Sequence, residues 1–213
     1  IITSCAMFYD LEDPKKFVKD IYRILHNDGI WCVQISYLLS MLKFNNFYDI
    51  CHEHLSYYSI ASFEKLLNYF DLKCFYAETN EVNGGSIRLF VCKKNNKRYD
   101  SKKFFKTMKE LRKLETKFEL DKEKTFINFK KNIDNLKKKT NKFVNKILKK
   151  GGTVLALGAS TKGNILLQHF GLNKDRVPYI SERNPMKVGL RCLGSDIKLI
   201  SEKVARETKP EAF

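Results

Sequence analysis

Apolar residues along the chain fall into short runs separated by helical stripes, the alternation expected of an α/β protein. Residues 1–6 read as a strand. Asp13-Pro14 supplies an N-cap and a first-turn proline, and Phe17, Val18, Ile21, Ile24 and Leu25 then recur at helical spacing until Asn27-Asp28-Gly29 stops them. The run 30–35 predicts a buried parallel strand. Residues 37–52 have no clear period and predict a loop beyond that strand's carboxyl end, where open α/β sheets place their sites. Ser62 is expected to cap a second helix running to about Phe70, with Leu66 and Leu67 inward. Two more strands, 72–77 and 86–92, flank the Gly84-Gly85 turn.

Residues 101–149 predict one or two helices that break near Leu120-Asp121 and end at Gly151-Gly152. A strand over 153–157, a turn over 158–163, a helix over 164–170 closed by Gly171, and a strand over 177–180 then make a small Rossmann-like β-α-β module. The predicted organisation is a half sheet over 1–98, a Lys-rich helical connector over 99–150 and the module over 151–213. The first 95 residues read as the second half of a doubly wound sheet. Because the chain starts at Ile1 inside a strand and ends where another could begin after Lys209-Pro210, it is expected to be a piece of a longer protein.

Composition narrows the function classes. The chain has 213 residues, 43% of them apolar, enough for a full core and far from a disordered composition. It has no run of the ~18 apolar residues a membrane helix needs and no signal-peptide pattern, so a cytoplasmic location is expected. The six cysteines are widely spaced, without a C-x-x-C pair, and are expected to be buried reduced thiols. The net charge of +16 resembles a nucleic-acid signal, but residues 97–150 alone hold 20 Lys/Arg against 7 Asp/Glu. In that segment Phe126, Phe129, Ile133, Leu136, Phe143 and Ile147 recur at helical spacing, which makes the lysines the solvated face of amphipathic helices. Lysines far outnumber arginines and no aromatic residues interrupt the polar face, which argues against nucleic-acid readout.

The densest chemistry lies in Cys51-His52-Glu53-His54-Leu55-Ser56-Tyr57-Tyr58-Ser59. An imidazole that titrates near neutrality beside a carboxylate is a candidate general acid/base pair. Loop capping by the same polar groups explains the composition almost as well. A metal pair from His52 and His54 lacks a third ligand, and Ser56 stands where H-E-x-x-H needs its second histidine. Gly158-Ala159-Ser160-Thr161-Lys162-Gly163-Asn164 joins a strand to a helix start, so its amides and Lys162 form either a phosphate cradle or a tight turn. Asn184-Pro185-x-Lys187 adds a polar loop on the same expected edge. Gly84-Gly85-Ser86-x-Arg88 places a cation after a turn that lets another group approach the backbone, although Arg88 could equally form a surface pair.

Taken in order, Ala6-Met7-Phe8-Tyr9-Asp10-Leu11-Glu12-Asp13-Pro14, Glu53-His54-Leu55-x-Tyr57-Tyr58-Ser59, Gly84-Gly85-Ser86-Ile87-Arg88, Gly158 to Asn164 and Asn184-Pro185-x-Lys187-x-Gly189 resemble the nucleotide-sugar C-methyltransferases. These are S-adenosylmethionine-dependent enzymes that methylate a ring carbon beside a keto group of a deoxysugar. The resemblance implies the second half of a methyltransferase core followed by most of a C-terminal domain. The donor-binding glycine loop, and a zinc module built on cysteines, would lie outside this chain, leaving it inactive alone.

It further implies that His54 is the base that forms an enolate and that Glu53 orients or tunes it or contacts sugar hydroxyls. Tyr57, Gly84, Gly85, Ser86, Arg88, Ser160, Thr161, Lys162, Asn164, Asn184 and Lys187 would bind the nucleotide-diphospho-sugar. Cys51 stands where many relatives carry a tyrosine, and Cys192-Leu193-Gly194 replaces a usual Pro-Gly. The alternatives are the same core acting on another acceptor, a non-catalytic nucleotide-binding protein, and a basic nucleic-acid-binding module over 97–150.

Overall fold

A computed structural model describes residues 1–213, which divide into two compact units, Ile1–Phe129 and Lys130–Phe213. In the first unit β1 (Ile2–Cys5), α1 (Pro14–Ile24), β2 (Trp31–Ser36), α2 (Leu38–Phe44), α3 (Ile60–Asn68), β3 (Leu72–Asn80), β4 (Ser86–Lys93) and α4 (Lys102–Phe118) follow in order. α5 (Glu123–Leu148) carries the unit boundary. The sheet order is β1-β2-β4-β3; β1 and β2 are parallel, and β4 runs antiparallel to both β2 and β3.

One face of this sheet is the core. Trp31, Val33 and Ile35 alternate inward along β2 and meet Val18 and Ile21 of α1, Phe63 and Leu67 of α3, and Met108 of α4. Phe8 lies at the centre, with ring centroids 5.2 Å from Phe63 and 5.7 Å from Trp31. Each such side chain contributes about 1.5–3 kcal/mol by burial and about 0.5–1.5 more through ring packing. The exposed pair Lys16–Asp20 is minor beside them. Trp31 donates its indole N–H to Ser4 Oγ at 3.0 Å, so the buried ring leaves no polar atom unpaired.

Local signals explain most boundaries. Asp13 caps α1 by accepting from Lys16 N at 2.9 Å, with Pro14 in the first turn. The helix expected to start from Ser62 instead starts one turn earlier: Ser59 is the cap, and Ser59 and Ser62 form a reciprocal capping box. The stretch expected to be a loop over 37–52 contains α2 and a 3-10 turn at Phe47–Asp49. α2 buries Leu39, Met41 and Leu42 but is only 7 residues long, too short to display a helical period. β3 runs to Asn80 because a bulge between Cys74 and Tyr76 realigns it on β4. The helical connector breaks at Glu119, which adopts φ 56, within the span expected.

The apolar stripe of α5 is only partly inward: Phe129, Ile133 and Val144 are buried, whereas Phe126, Leu136 and Phe143 are at least 40% exposed. The expectation of six buried thiols also fails. Only Cys74 and Cys92 are buried; Cys32, Cys51 and Cys192 are half-buried and Cys5 is exposed, all of them free.

In the second unit β5 (Ala156–Leu157), α6 (Thr161–Phe170), β6 (Tyr179–Glu182), β7 (Lys198–Ser201) and α7 (Glu202–Glu207) build a parallel sheet of order β5-β6-β7. Leu155, Leu167, Phe170, Ile180, Ile197 and Leu199 are its buried apolar residues. The predicted strand 153–157 is shortened because Val154 bridges Ala212 and Leu155 N bonds Ala212 O at 3.0 Å. The chain after Pro210 thus supplies a pairing segment, as a single bridge. Ser160 caps α6 by accepting from Gly163 N, so that helix starts at Thr161 and not at 164. β6 lies two residues later than the 177–180 reading, which puts Glu182 at its carboxyl end. No helix is long and apolar enough to cross a membrane.

Candidate active site

Strand directions bring distant segments to one edge of the first sheet. β1 and β2 end there, β4 starts there with Ser86 opposite Ser36, and β3 ends there with Asn80 opposite Ser86. The 45–59 segment returns to this edge through backbone bonds from Leu38 N to Tyr58 O at 3.0 Å and from Ser56 N to Tyr9 O at 3.1 Å. Tyr37 N donates to Gly85 O at 3.1 Å, and Asn46 Nδ2 to Gly84 O at 2.5 Å. Tyr48 in turn donates its hydroxyl to Asn46 Oδ1 at 2.9 Å.

His54 is half-buried in this assembly. Its ring lies 4.4 Å from the Tyr9 ring, tilted by 58°, and 6.5 Å from Tyr57, edge on. Its own amide closes a turn on Cys51 O at 3.2 Å. Burial pushes the phenols of Tyr9 and Tyr57 above their ordinary range, and nearby Asp49 adds to both shifts. Tyr57 donates its hydroxyl to Asp49 O at 3.3 Å. Burial likewise pushes the Cys51 thiol up.

The Glu53 side chain bonds other neighbours and acts on His54 through its charge. The Glu53 carboxylate lies 3.4 Å from His52 Nδ1 and bonds the Cys51 thiol; its own amide and that thiol hold its pKa below the usual carboxylate range. The His52 side chain is 90% exposed. Among the described residues no group of three or more His, Cys, Asp or Glu is placed to hold a metal ion.

The two glycines serve close packing. A Cβ on Gly85, which has φ +122, would lie 2.5 Å from Ser40 Cβ, and one on Gly84 would lie 2.9 Å from Asn46 Nδ2. Gly85→Ala is therefore expected to lower the stability of this unit by about 2–4 kcal/mol, through backbone strain plus a clash with α2. Urea unfolding followed by Trp31 fluorescence reads this directly, and an unchanged midpoint would show that α2 can move aside. Ser86 is buried, its hydroxyl donating to Val82 O at 2.8 Å. Arg88 is held across the strands by Glu78 at 2.7 Å and by Gln34 Oε1 at 2.9 and 3.2 Å. It is thus engaged by β2 and β3, the surface-pair reading of that residue.

In the second unit, Glu182 organises the β5–α6 turn. Its carboxylate accepts from Ala159 N at 3.0 Å and from Asn184 N at 2.9 Å, bonds that hold its pKa low. Lys187 Nζ donates to Ala159 O at 3.0 Å. Ser160, Asn184 and Lys187 are thereby gathered around one turn, with Thr161, Lys162 and Asn164 in the first turn of α6. The Ala159 amide, part of the expected phosphate cradle, is taken by a carboxylate.

Asn46, Asp49 and Glu182 are absent from the sequence reading, and Tyr9 enters it only within the 6–14 motif, with no role of its own. A signal existed for two of them: Phe-Tyr-Asp occurs twice, and both copies, Phe8–Asp10 and Phe47–Asp49, form single 3-10 turns at the same edge. For Glu182 the cue was an acidic residue at the end of the second strand of a β-α-β unit.

C-methyltransferase NovU of Streptomyces niveus is 27% identical over 206 residues, which is 97% of this chain and 48% of that protein, so the chain spans about half the length of this curated relative. A family model described as the C-methyltransferase C-terminal domain matches residues 81–213. With that match covering the end of the first sheet, both connector helices and the whole parallel module, the chain belongs to the C-methyltransferase C-terminal domain family.

Proposed function

We propose that this chain forms the acceptor side of an S-adenosylmethionine-dependent C-methyltransferase that methylates the carbon beside the keto group of a nucleotide-diphospho-deoxysugar. The observation that carries the reading is His54, half-buried against Tyr9 and 6.5 Å from Tyr57 at the carboxyl edge of an α/β sheet, in a chain of this family. A ketone acidifies its α-proton; His54 takes that proton, and the carbon–hydrogen electron pair becomes an enolate. Tyr57, kept protonated by burial, turns its one O–H from Asp49 O to the enolate oxygen. Glu53, ionised and half-exposed, contacts sugar hydroxyls.

When bound, S-adenosylmethionine supplies an electrophilic methyl group. The glycines at this edge are closed against Ser40 and Asn46 and offer no cradle for a nucleoside, so no donor contact is assigned to these residues. Lys162 and Lys187, with Ser160, Thr161, Asn164 and Asn184, carry the cations and polar groups suited to the substrate's diphosphate.

The test is to incubate the full gene product with methyl-labelled S-adenosylmethionine and a panel of nucleotide 4-keto and 4-hydroxy sugars. Label bonded to carbon, in keto sugars alone, is expected. Label on oxygen, or equal transfer to the hydroxy sugars, would remove the enolate route.

A further inference from the structure

We infer that Tyr9 is the positioning residue for the His54 imidazole, the role that sequence adjacency assigned to Glu53; this rests on His54 being the base. The Glu53 carboxylate bonds the Cys51 thiol and lies against His52, reaching His54 only through its charge, so the tilt of the imidazole is set elsewhere. The Tyr9 ring lies 4.4 Å from it, the nearest ring contact His54 makes. Tyr9 is itself fixed: it is 7% exposed, sits in the 3-10 turn that follows β1, and its hydroxyl bonds the Ser36 side chain at the end of β2. Its carbonyl also accepts from Ser56 N at 3.1 Å, tying the backbone beside His54 to the same turn. One residue thus joins the ends of two parallel strands to the ring and the backbone of the site loop.

The consequence is chemical as well as mechanical. A phenol against an imidazole limits the ring to a narrow range of tilt and keeps water off that side. When the imidazole takes up a proton, the electron-rich ring stabilises the resulting cation. The aromatic ring is the working part and the hydroxyl its anchor, so phenylalanine should serve at this position and an aliphatic residue should not.

Tyr9→Phe and Tyr9→Leu in the full gene product provide the test. Tyr9→Phe is expected to keep kcat within threefold, whereas Tyr9→Leu lowers it by tenfold or more with KM changed less than threefold. In the chain itself, the His54 ring protons, assigned by their loss in His54→Ala, should shift in Tyr9→Leu and hold their place in Tyr9→Phe as the ring current is removed or kept. A Tyr9→Leu variant with unchanged His54 resonances, or with kcat within threefold of the parent, overturns the assignment. Should Tyr9→Leu fail to fold, Tyr9→Trp takes its place, with retained kcat and a perturbed His54 shift expected and unaltered resonances counting against the contact. Turnover that survives His54→Ala while the ring-current result holds would overturn the base and leave the contact standing.

Discussion

Replacing His54 with alanine is expected to lower methyl transfer about 100- to 10,000-fold, the range for removing a positioned general base. The expectation follows from where the site loop is held. Ser56 N on Tyr9 O, Leu38 N on Tyr58 O and the turn at Cys51 O are backbone bonds, so they survive truncation of the side chain. The loss should therefore appear in kcat, with folding stability changed by about 1–2 kcal/mol, the worth of its two ring contacts. His52→Ala is the internal control: its side chain is 90% exposed and it should stay within twofold of the parent. Single-turnover transfer of labelled methyl separates the outcomes. Equal losses in both variants would point to loop folding, and a His54→Ala rate within threefold of the parent would remove the base.

The largest expected stability loss belongs to a residue that touches none of this chemistry. Glu115 on α4 is 5% exposed and accepts three bonds: from the Tyr37 hydroxyl at 2.9 Å, Ile60 N at 2.6 Å and Ala61 N at 3.1 Å. It closes the first free amides of α3, where the helix dipole favours an anion, and anchors the residue that follows β2. Burial, and then this carboxylate, push the Tyr37 phenol far above its ordinary range, so it remains a donor. Glu115→Ala leaves these three donors without their acceptor, a loss of about 3–5 kcal/mol. Glu115→Gln, which keeps one acceptor oxygen but turns an amide N–H toward a donor, should lose less, about 1–2 kcal/mol. Trp31, the chain's single tryptophan and fully buried, reports unfolding of this unit. A loss below 1 kcal/mol for Glu115→Ala would mean that the cost of burying the charge had cancelled its bonds.

These residues mark how far the sequence could be read. Asp13 with Pro14, the break near Leu120 and the stop at Gly171 were legible because a cap or a left-handed turn is settled within a few residues. α2 was not, since 7 residues cannot show a period, and Ser62 was mistaken for the cap because both serines of a capping box look alike in sequence. Residues 153–155 were read as strand, but their partner is the segment at 211–212, a pairing with no local signature. Glu53 beside His54 invited an acid/base pair. The carboxylate, however, bonds the Cys51 thiol and lies against His52, so its link to His54 is one of charge and not of contact.

By itself the sequence determined the α/β class, the buried strand at Trp31 to Ile35, the placement of excess lysines on the connector helices, and the presence of titratable residues in the 51–59 run. Tertiary structure alone decided that β4 inserts between β2 and β3, that Gly85 faces Ser40, that Glu115 reaches back to α3, and that Tyr9 lies on His54. The division has one physical cause. Periodicity, capping and turn chemistry act over a few residues, whereas the environment of a side chain depends on which strands pair, and strand pairing joins segments whose separation along the chain leaves no mark on either.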